Sequence, residues 1–168
     1  DIIHLHNLHH NYFNFLALPT LTQDKTAVIT LHDMWPLTGH CGFSRDCDRW
    51  QTGCGNCPDL KTFPPVSRDT TRWTWKLKKW AYSNSNIAAV IATSRWSNQV
   101  LKKSLLTDKP VHYIPLGIDT TVFKPHSVNL CRSILELPEN KKIALVSAQN
   151  LSDPRKGFGL LAEALALL

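Results

Sequence analysis

The apolar residues of this chain are concentrated in short runs, and helical spacing dominates between these runs. Five of the runs have the length and composition of buried strands: 2–6, 27–31, 87–92, 111–114 and 143–147. Helical spacing and capping residues predict five helices, one of which ends near Pro19: 11–18, 70–83, 93–103, 129–137 and from 157 onward. Strands that alternate with helices predict an α/β fold with a parallel sheet and right-handed crossovers.

The helix predicted over 70–83 is both basic and aromatic. Four apolar residues share one of its faces: Trp73, Leu77, Trp80 and Ala81. Three lysines lie largely off that face: Lys76, Lys78 and Lys79. With Arg68 and Arg72 they form a segment, 68–80, typical of helices that dock on anionic membranes or bind nucleic acid. The simpler arrangement, with tryptophans in the core and lysines in water, is the one we expect.

Composition narrows the class of protein. Of the 168 residues, 43% are hydrophobic, which is enough for a packed core in one domain or in parts of two. The net charge of +6 suits anionic partners such as phosphorylated ligands, acidic lipids or nucleic acid. No apolar run approaches the ~20 residues of a membrane span, and no secretion signal is recognisable, so we expect a cytoplasmic protein.

A Gly- and Pro-rich segment at 33–65 is predicted to be a long irregular loop, and four cysteines lie in it: Cys41, Cys47, Cys54 and Cys57. So long a loop needs something that orders it. The closing Cys-x2-Cys pair is typical of a zinc knuckle, and four thiolates satisfy tetrahedral coordination in a structural site. Disulfides and buried free thiols are the alternatives. His40 could replace one ligand, and Cys131 is predicted to be a small core residue.

Four histidines near the first strand suggest a metal site: His4, His6, His9 and His10. His4 and His6 are predicted to point to the same side of the strand. Histidines at a strand end could also contact substrate. We expect an ordinary polar cluster rather than a metal site.

Seven stretches follow one another along nearly the whole chain: DIIHLHN at 1–7, TLHDMW at 30–35, TGHC at 38–41, TGCGNCP at 52–58, SRW at 94–96, IPLGID at 114–119 and DPRKGF at 153–158. In this order they resemble the family-4-type retaining glycosyltransferases of the GT-B fold. The resemblance is strongest to the bacterial branch that builds cell-surface polysaccharides.

The resemblance implies two Rossmann-like domains with an active site between them. It assigns 1–114, with the cysteine loop at 33–65, to the C-terminal part of the acceptor-side domain. It makes 115–127 an interdomain hinge and 128–168 the start of the nucleotide-sugar-binding domain. The family's Gly-rich acceptor loop would precede the chain and its donor-binding glutamate motif would follow it. Because the chain starts like a strand under way and ends like a helix without a stop signal, we expect a fragment truncated at both ends, inactive alone.

The implied reaction is retaining transfer of a hexosyl group from a nucleotide sugar to a glycan or lipid-linked acceptor. No cofactor is implied for catalysis beyond the nucleotide-sugar donor as co-substrate, with zinc only in a structural role. The expected location is the cytoplasm, and peripheral contact with the inner face of the plasma membrane through the basic segment 68–80 is the alternative. Nucleic acid is not an implied partner.

His32 is the catalytic residue that the resemblance implies. It follows a predicted buried strand, and ligands of open α/β sheets collect at such carboxyl ends. In the family, a histidine here contacts the transferring sugar or the acceptor, and an imidazole can stabilise developing charge. From its position alone, a capping or buried structural histidine is the expected assignment, and it is the resemblance that favours a functional role. Asp33 either orients His32 or caps the following turn.

The turn at 153–157 is the donor-binding element that the resemblance implies. Lys156 would hold the donor diphosphate, helped by N–H groups at a helix start, and Gly157 would let the backbone approach a phosphate. Arg155 would either assist or face solvent. Many relatives carry an arginine six residues before the lysine, where this chain has Asn150, a neutral hydrogen-bond donor.

Two other classes fit the residues alone. One is a non-catalytic α/β module that binds a sugar nucleotide or serves as a scaffold. The other is a zinc-stapled, basic nucleic-acid binder built on the cysteine loop. The sparse Lys and Arg content of that loop, and the α/β pattern around it, disfavour the second class.

Overall fold

A computed structural model describes residues 1–9 and 12–167, which fall into two compact units, 1–117 and 118–168. The first unit contains a four-stranded sheet: β1 (Ile2–His6), β2 (Thr26–Leu31), β3 (Ile87–Ala92) and β4 (Val111–Tyr113). The strands lie in sequence order and every neighbouring pair is parallel. The predicted α/β class with a parallel sheet is therefore confirmed. His10, one of the four N-terminal histidines, lies outside the described residues.

The two central strands carry the core, since the helices of the crossovers cover their side chains. The fully buried positions here are Ala27, Ile29, Leu31, Val90 and Ala92. Two longer helices follow β2 and β3: α2 (Thr71–Ser83) and α3 (Arg95–Leu101). The side chain of Ser94 accepts from the backbone N–H of Ser97 and completes a capping box, as expected for a helix that starts after this strand.

The helix predicted over 11–18 is wrong in its position. A short 3-10 turn over Phe15–Ala17 leads into α1 (Leu18–Leu21), and Asn11 lies outside the described residues. Asn14 starts the turn, because its side chain accepts from the N–H of Leu16. Pro19 does not end the helix. It lies in the first turn, where the missing N–H of proline costs no hydrogen bond.

The predicted inner face of α2 is also wrong. Trp73 and Trp80 are more than half exposed, and Leu77 is nearly so, although Ala81 is fully buried. The face that packs inward contains a lysine: Thr71, Trp75, Lys78, Ala81 and Tyr82. These positions keep helical spacing, so both faces of α2 have a plausible apolar stripe and the sequence pattern did not decide between them.

The inner face of α2 anchors the long loop at 33–65. Trp75 donates its Nε1–H to the carbonyl oxygen of Trp50 at 2.8 Å. Lys78 donates its Nζ to the carbonyls of Trp35 (2.6 Å) and Thr38 (3.0 Å), and lies 3.3 Å from the centroid of the Trp35 ring. Two carbonyl oxygens and an aromatic face of the loop thus hold the amino group of Lys78, which ties the loop to α2.

The second unit contains two helices, α4 (Val128–Ile134) and α5 (Phe158–Leu165). The strand predicted at 143–147 is wrong, because this segment has no strand pairing among the described residues. Leu145 is 89% exposed. A parallel strand needs a neighbour to accept and donate its backbone hydrogen bonds, and the described part of this unit offers none. Within the described residues, no helix is both long and apolar enough to cross a membrane.

Candidate functional site

The carboxyl ends of the four strands form one edge of the sheet, because all strands run parallel. β1 ends at His6, and β2 ends at Leu31, directly before His32. The strand register pairs His6 with Thr30, two positions before His32. Side chains two residues apart share a face of the sheet, so the pairing brings both imidazoles to one side.

His6 and His32 form a hydrogen bond at this edge. Nδ1 of His6 lies 2.8 Å from Nε2 of His32, and both side chains are exposed to solvent. One ring donates and the other accepts, so the pair shares one proton between the two nitrogens when both are neutral. The remaining nitrogen of His32, Nδ1, is then a donor in one tautomer and an acceptor in the other.

A third histidine extends this pair. His4 packs against His6 with ring centroids 4.1 Å apart, and its Nε2 lies 2.7 Å from the hydroxyl oxygen of Thr30. The prediction that His4 and His6 point to one side is confirmed. Burial, together with the nearby rings of His4 and His32, lowers the pKa of His6. Charging the row therefore costs more than charging an isolated imidazole.

Asp33 does not take the orienting role for His32 that was one of its two predicted functions. One carboxylate oxygen accepts from the backbone N–H of Trp35 at 2.9 Å, which caps the following turn as the alternative predicted. The other oxygen accepts from Nε2 of the buried His9 at 2.8 Å. The partner of His32 is His6, which the strand register reveals and the sequence analysis did not identify.

The four cysteines of the loop line one small cavity, of about 20 Å³. All are free thiols, and burial raises the pKa of Cys54 to about 11 and that of Cys41 above its ordinary value. Sγ of Cys54 accepts from the N–H of Gly39 at 3.2 Å. Among residues 1–9 and 12–167, no three or more His, Cys, Asp or Glu side chains are grouped so as to hold a metal ion. The structural zinc site remains a prediction.

His40 contacts this cysteine cluster. Its Nδ1 lies 3.0 Å from the carbonyl oxygen of Pro64, which can only accept, so Nδ1 carries the proton. In the neutral imidazole Nε2 is then the acceptor, and it lies 3.3 Å from Sγ of Cys57. The lone pair of His40 thus faces the thiols.

In the second unit, the predicted donor-binding residues lie on one turn. A 3-10 turn over Pro154–Lys156 passes through Gly157 into α5, and Lys156 is exposed. Gly157 has φ +69°, and no atom would meet an added Cβ within 4 Å. Glycine is therefore needed here for its backbone conformation and not for space.

Two of the predicted residues have local partners, Arg155 on this turn and Asn150 in the segment just before it. Arg155 pairs with Asp153 through Nε at 3.0 Å from each carboxylate oxygen. This pairing lowers the pKa of Asp153 to about 2. The side-chain oxygen of Asn150 accepts from the N–H of Ser152 at 2.9 Å. Arg155 is thus charge-neutralised, whereas Lys156 is exposed and lies two residues before the start of α5.

Comparison with known proteins identifies relatives of this chain. Residues 1–122 match the family described as Glycosyltransferase Family 4. A protein of Escherichia coli (strain K12), named "Putative colanic acid biosynthesis glycosyl transferase WcaC", is 39% identical over 75 residues. That alignment covers 40% of this chain and 18% of the relative, so the match spans under a fifth of the relative's length. No solved structure matches the chain.

Proposed function

This chain belongs to glycosyltransferase family 4, and on that premise we propose that it functions as a hexosyltransferase of the GT-B type. The donor is a nucleotide sugar, the acceptor is a glycan or a lipid-linked glycan, and the anomeric configuration is retained. The relative named for colanic acid biosynthesis supports a role in making a cell-surface polysaccharide. The enzyme would act in the cytoplasm or on the inner face of the plasma membrane.

The observation that carries the proposal is the position of His32. It lies exposed at the carboxyl end of β2, where ligands of α/β sheets collect, and His6 holds its Nε2. In transfer, the bond from the anomeric carbon to the diphosphate breaks and the electron pair leaves with the diphosphate. The acceptor oxygen forms the new bond and gives up its proton, which an oxygen of the departing diphosphate accepts. With Nε2 engaged, Nδ1 of His32 is the atom that donates to, or accepts from, a sugar hydroxyl.

Lys156 is assigned to the leaving group. A departing nucleoside diphosphate gains negative charge, and an ammonium group beside a helix start stabilises that charge. Because Arg155 is neutralised by Asp153, Lys156 is the cation of this turn that we assign to the diphosphate. Asn150 would add a neutral hydrogen bond at most. No cofactor other than the donor enters this scheme.

The test is sugar transfer by the full-length protein, measured with labelled uridine- and guanosine-diphosphate sugars. Lys156→Ala is expected to weaken both donor binding and turnover, by about a hundredfold in kcat/KM, since one charge-assisted contact of this kind is worth roughly 2–4 kcal/mol. His32→Ala should lower kcat more than donor affinity. Lys142→Ala, an exposed lysine of the same unit, is the matched control. Parental rates in both site variants would exclude this assignment and favour a non-catalytic sugar-nucleotide-binding module.

A further inference from the structure

The outer face of α2 combines an apolar stripe with a basic stripe. Because Thr71, Trp75, Lys78 and Tyr82 pack inward, the opposite side of the helix faces outward. Trp73, Leu77 and Trp80 lie there at spacings of four and three residues and are 68%, 43% and 52% exposed. Residues at this spacing form one continuous row on a helix. Large exposed apolar rows of this kind mark contact surfaces.

The basic stripe runs directly beside the apolar one. Arg72, Lys76 and Lys79 are all exposed and follow one another at spacings of four and three residues. Nζ of Lys76 lies 5.6 Å from the centroid of the Trp73 ring, so the two stripes touch. We name these six residues the α2 outer face: Arg72, Trp73, Lys76, Leu77, Lys79 and Trp80.

Acidic residues are missing from the surrounding sequence. Between Asp69 and Asp108 the chain has seven Lys and Arg residues and no Asp or Glu. Asp69, the acid next to the helix, accepts from the N–H of Cys57 and from the hydroxyl of Thr71, and these bonds lower its pKa. Its charge is therefore directed to the start of α2 and to the cysteine loop. Asp69 lines one cavity with Arg72 and Trp73, so it offsets part of the positive charge at the start of α2. Within the described part of the chain, Lys76 and Lys79 form no ion pair with an acidic side chain, and they keep the α2 outer face positive.

We propose that the α2 outer face docks on an anionic lipid bilayer. Tryptophan rings favour the headgroup level of a bilayer, where their apolar bodies leave bulk water and their N–H groups stay hydrated. A row of two tryptophans and a leucine would enter that layer, and the adjacent cations would contact phosphate groups of anionic lipids. A protein partner would not require a surface whose charges are all positive. Single-stranded nucleic acid would stack on the rings but would leave the leucine without a role.

This proposal does not rest on the proposed sugar transfer. It concerns a helix face in the first unit, and neither the donor nor the acceptor enters the test. The two proposals can fail independently. The chain could transfer sugar without binding vesicles, or bind vesicles without transferring sugar, and the two experiments distinguish these results. If both hold, the docked face would keep the enzyme at the surface on which lipid-linked acceptors lie.

The experiment is co-sedimentation of the 168-residue chain with vesicles of two compositions. One contains phosphatidylglycerol and phosphatidylethanolamine, and the other contains phosphatidylcholine alone. We expect binding to the anionic vesicles that weakens as salt rises, and little binding to the neutral ones. Quenching of tryptophan fluorescence by brominated lipid should accompany binding, because exposed rings enter the headgroup layer.

Two variant pairs locate the contact on α2. Trp73→Ala with Trp80→Ala should weaken vesicle binding about tenfold or more, since apolar burial drives insertion. Lys76→Gln with Lys79→Gln should weaken it about fivefold for each lysine removed. The matched controls are Trp96→Ala and Lys102→Gln with Lys103→Gln, which change exposed residues on or just after α3. Circular dichroism of each variant tests whether the fold is kept, as we expect for exposed positions.

Several results would overturn the proposal. Absence of binding to anionic vesicles is one, and equal loss of binding in the α3 controls is another. Concentration-dependent self-association that the Trp73/Trp80 variant abolishes, without vesicle binding, would make the α2 outer face an interface between two copies. Tighter binding to single-stranded oligonucleotide than to anionic vesicles would assign it to nucleic acid.

Discussion

Nδ1 of His6 and Nε2 of His32 are 2.8 Å apart, which makes the end of β1 a support for the residue that follows β2. His6 therefore leaves Nδ1 of His32 as the outward nitrogen and couples the tautomer of His32 to its own. We expect His6→Ala to lower kcat about five- to tenfold, the effect of losing one hydrogen bond of about 1 kcal/mol, with donor affinity unchanged. His6→Asn should restore part of the rate, because the Asn side chain offers a polar atom near the position of Nδ1. Equal loss in both variants would reduce His6 to a packing role.

The same pair predicts a pH dependence. The pKa of His6 in the folded chain is lowered from 6.5, so as pH falls the unfolded chain binds this proton first. The contribution of the pair to stability is thus present above about pH 6.5 and is lost as pH falls below it. The bond between the rings is lost only when both rings are imidazolium, since both nitrogens then donate. The expected result is an acidic limb in the kcat/KM profile that moves in His6→Asn. An unmoved limb would count against this origin.

Lys78 predicts a second pH dependence of stability, on the alkaline side. Burial lowers its pKa well below 10.5 in the folded chain. The unfolded state then binds more protons between the folded pKa and about 10.5, so this group makes the free energy of unfolding rise with pH across that window. Lys78→Met keeps most of the volume and removes the titration. Urea unfolding of both proteins between neutral pH and pH 10.5 measures the difference in their free energies of unfolding. The titrations of the cysteines and Tyr82 are common to both proteins and cancel in that difference. A difference that is constant with pH would show that Lys78 keeps its proton throughout.

Gly39 lies where the cysteine loop packs against α2, and the space there excludes a larger side chain. A Cβ at this position would lie 2.5 Å from both Cβ and the carbonyl oxygen of Thr71, which no side-chain rotation relieves. Gly39→Ala should therefore lower the free energy of unfolding by roughly 1–3 kcal/mol, as overpacked cores do. Gly117→Ala is the control, because nothing lies within 4 Å of its added Cβ. Similar denaturation midpoints for both variants would mean that the loop shifts freely on the helix.

The four loop cysteines predict a metal measurement. If Cys41, Cys47, Cys54 and Cys57 hold structural zinc, protein purified without chelator should contain about one zinc per chain. Removing the metal should then speed proteolysis within 33–65. Binding should also release protons, because buried thiols with raised pKa values must ionise. Metal-free protein with an unchanged cleavage pattern would leave Trp75 and Lys78 as the anchors of the loop.

Some features follow from local sequence because they depend on local energetics. Runs of apolar residues at 2–6, 27–31, 87–92 and 111–114 became strands, and the capping residue Ser94 started a helix where predicted. The position of His32 at a strand end follows from the same runs. These elements are specified by residues within a few positions of one another, so the pattern alone predicts them.

Tertiary structure decided what depends on partners distant in sequence. The helix α2 has two plausible inner faces, and packing against Trp35, Thr38 and Trp50 selected the one that buries Lys78 and exposes Trp73. The strand register placed His6 within hydrogen-bond distance of His32, and Asp33 instead accepts a hydrogen bond from His9. The apolar run at 143–147 formed no strand, because a parallel strand exists only with a neighbour. The outcome in each case depends on the relative free energies of alternative contacts. Those contacts join residues from distant segments, so no single segment of the chain specifies them.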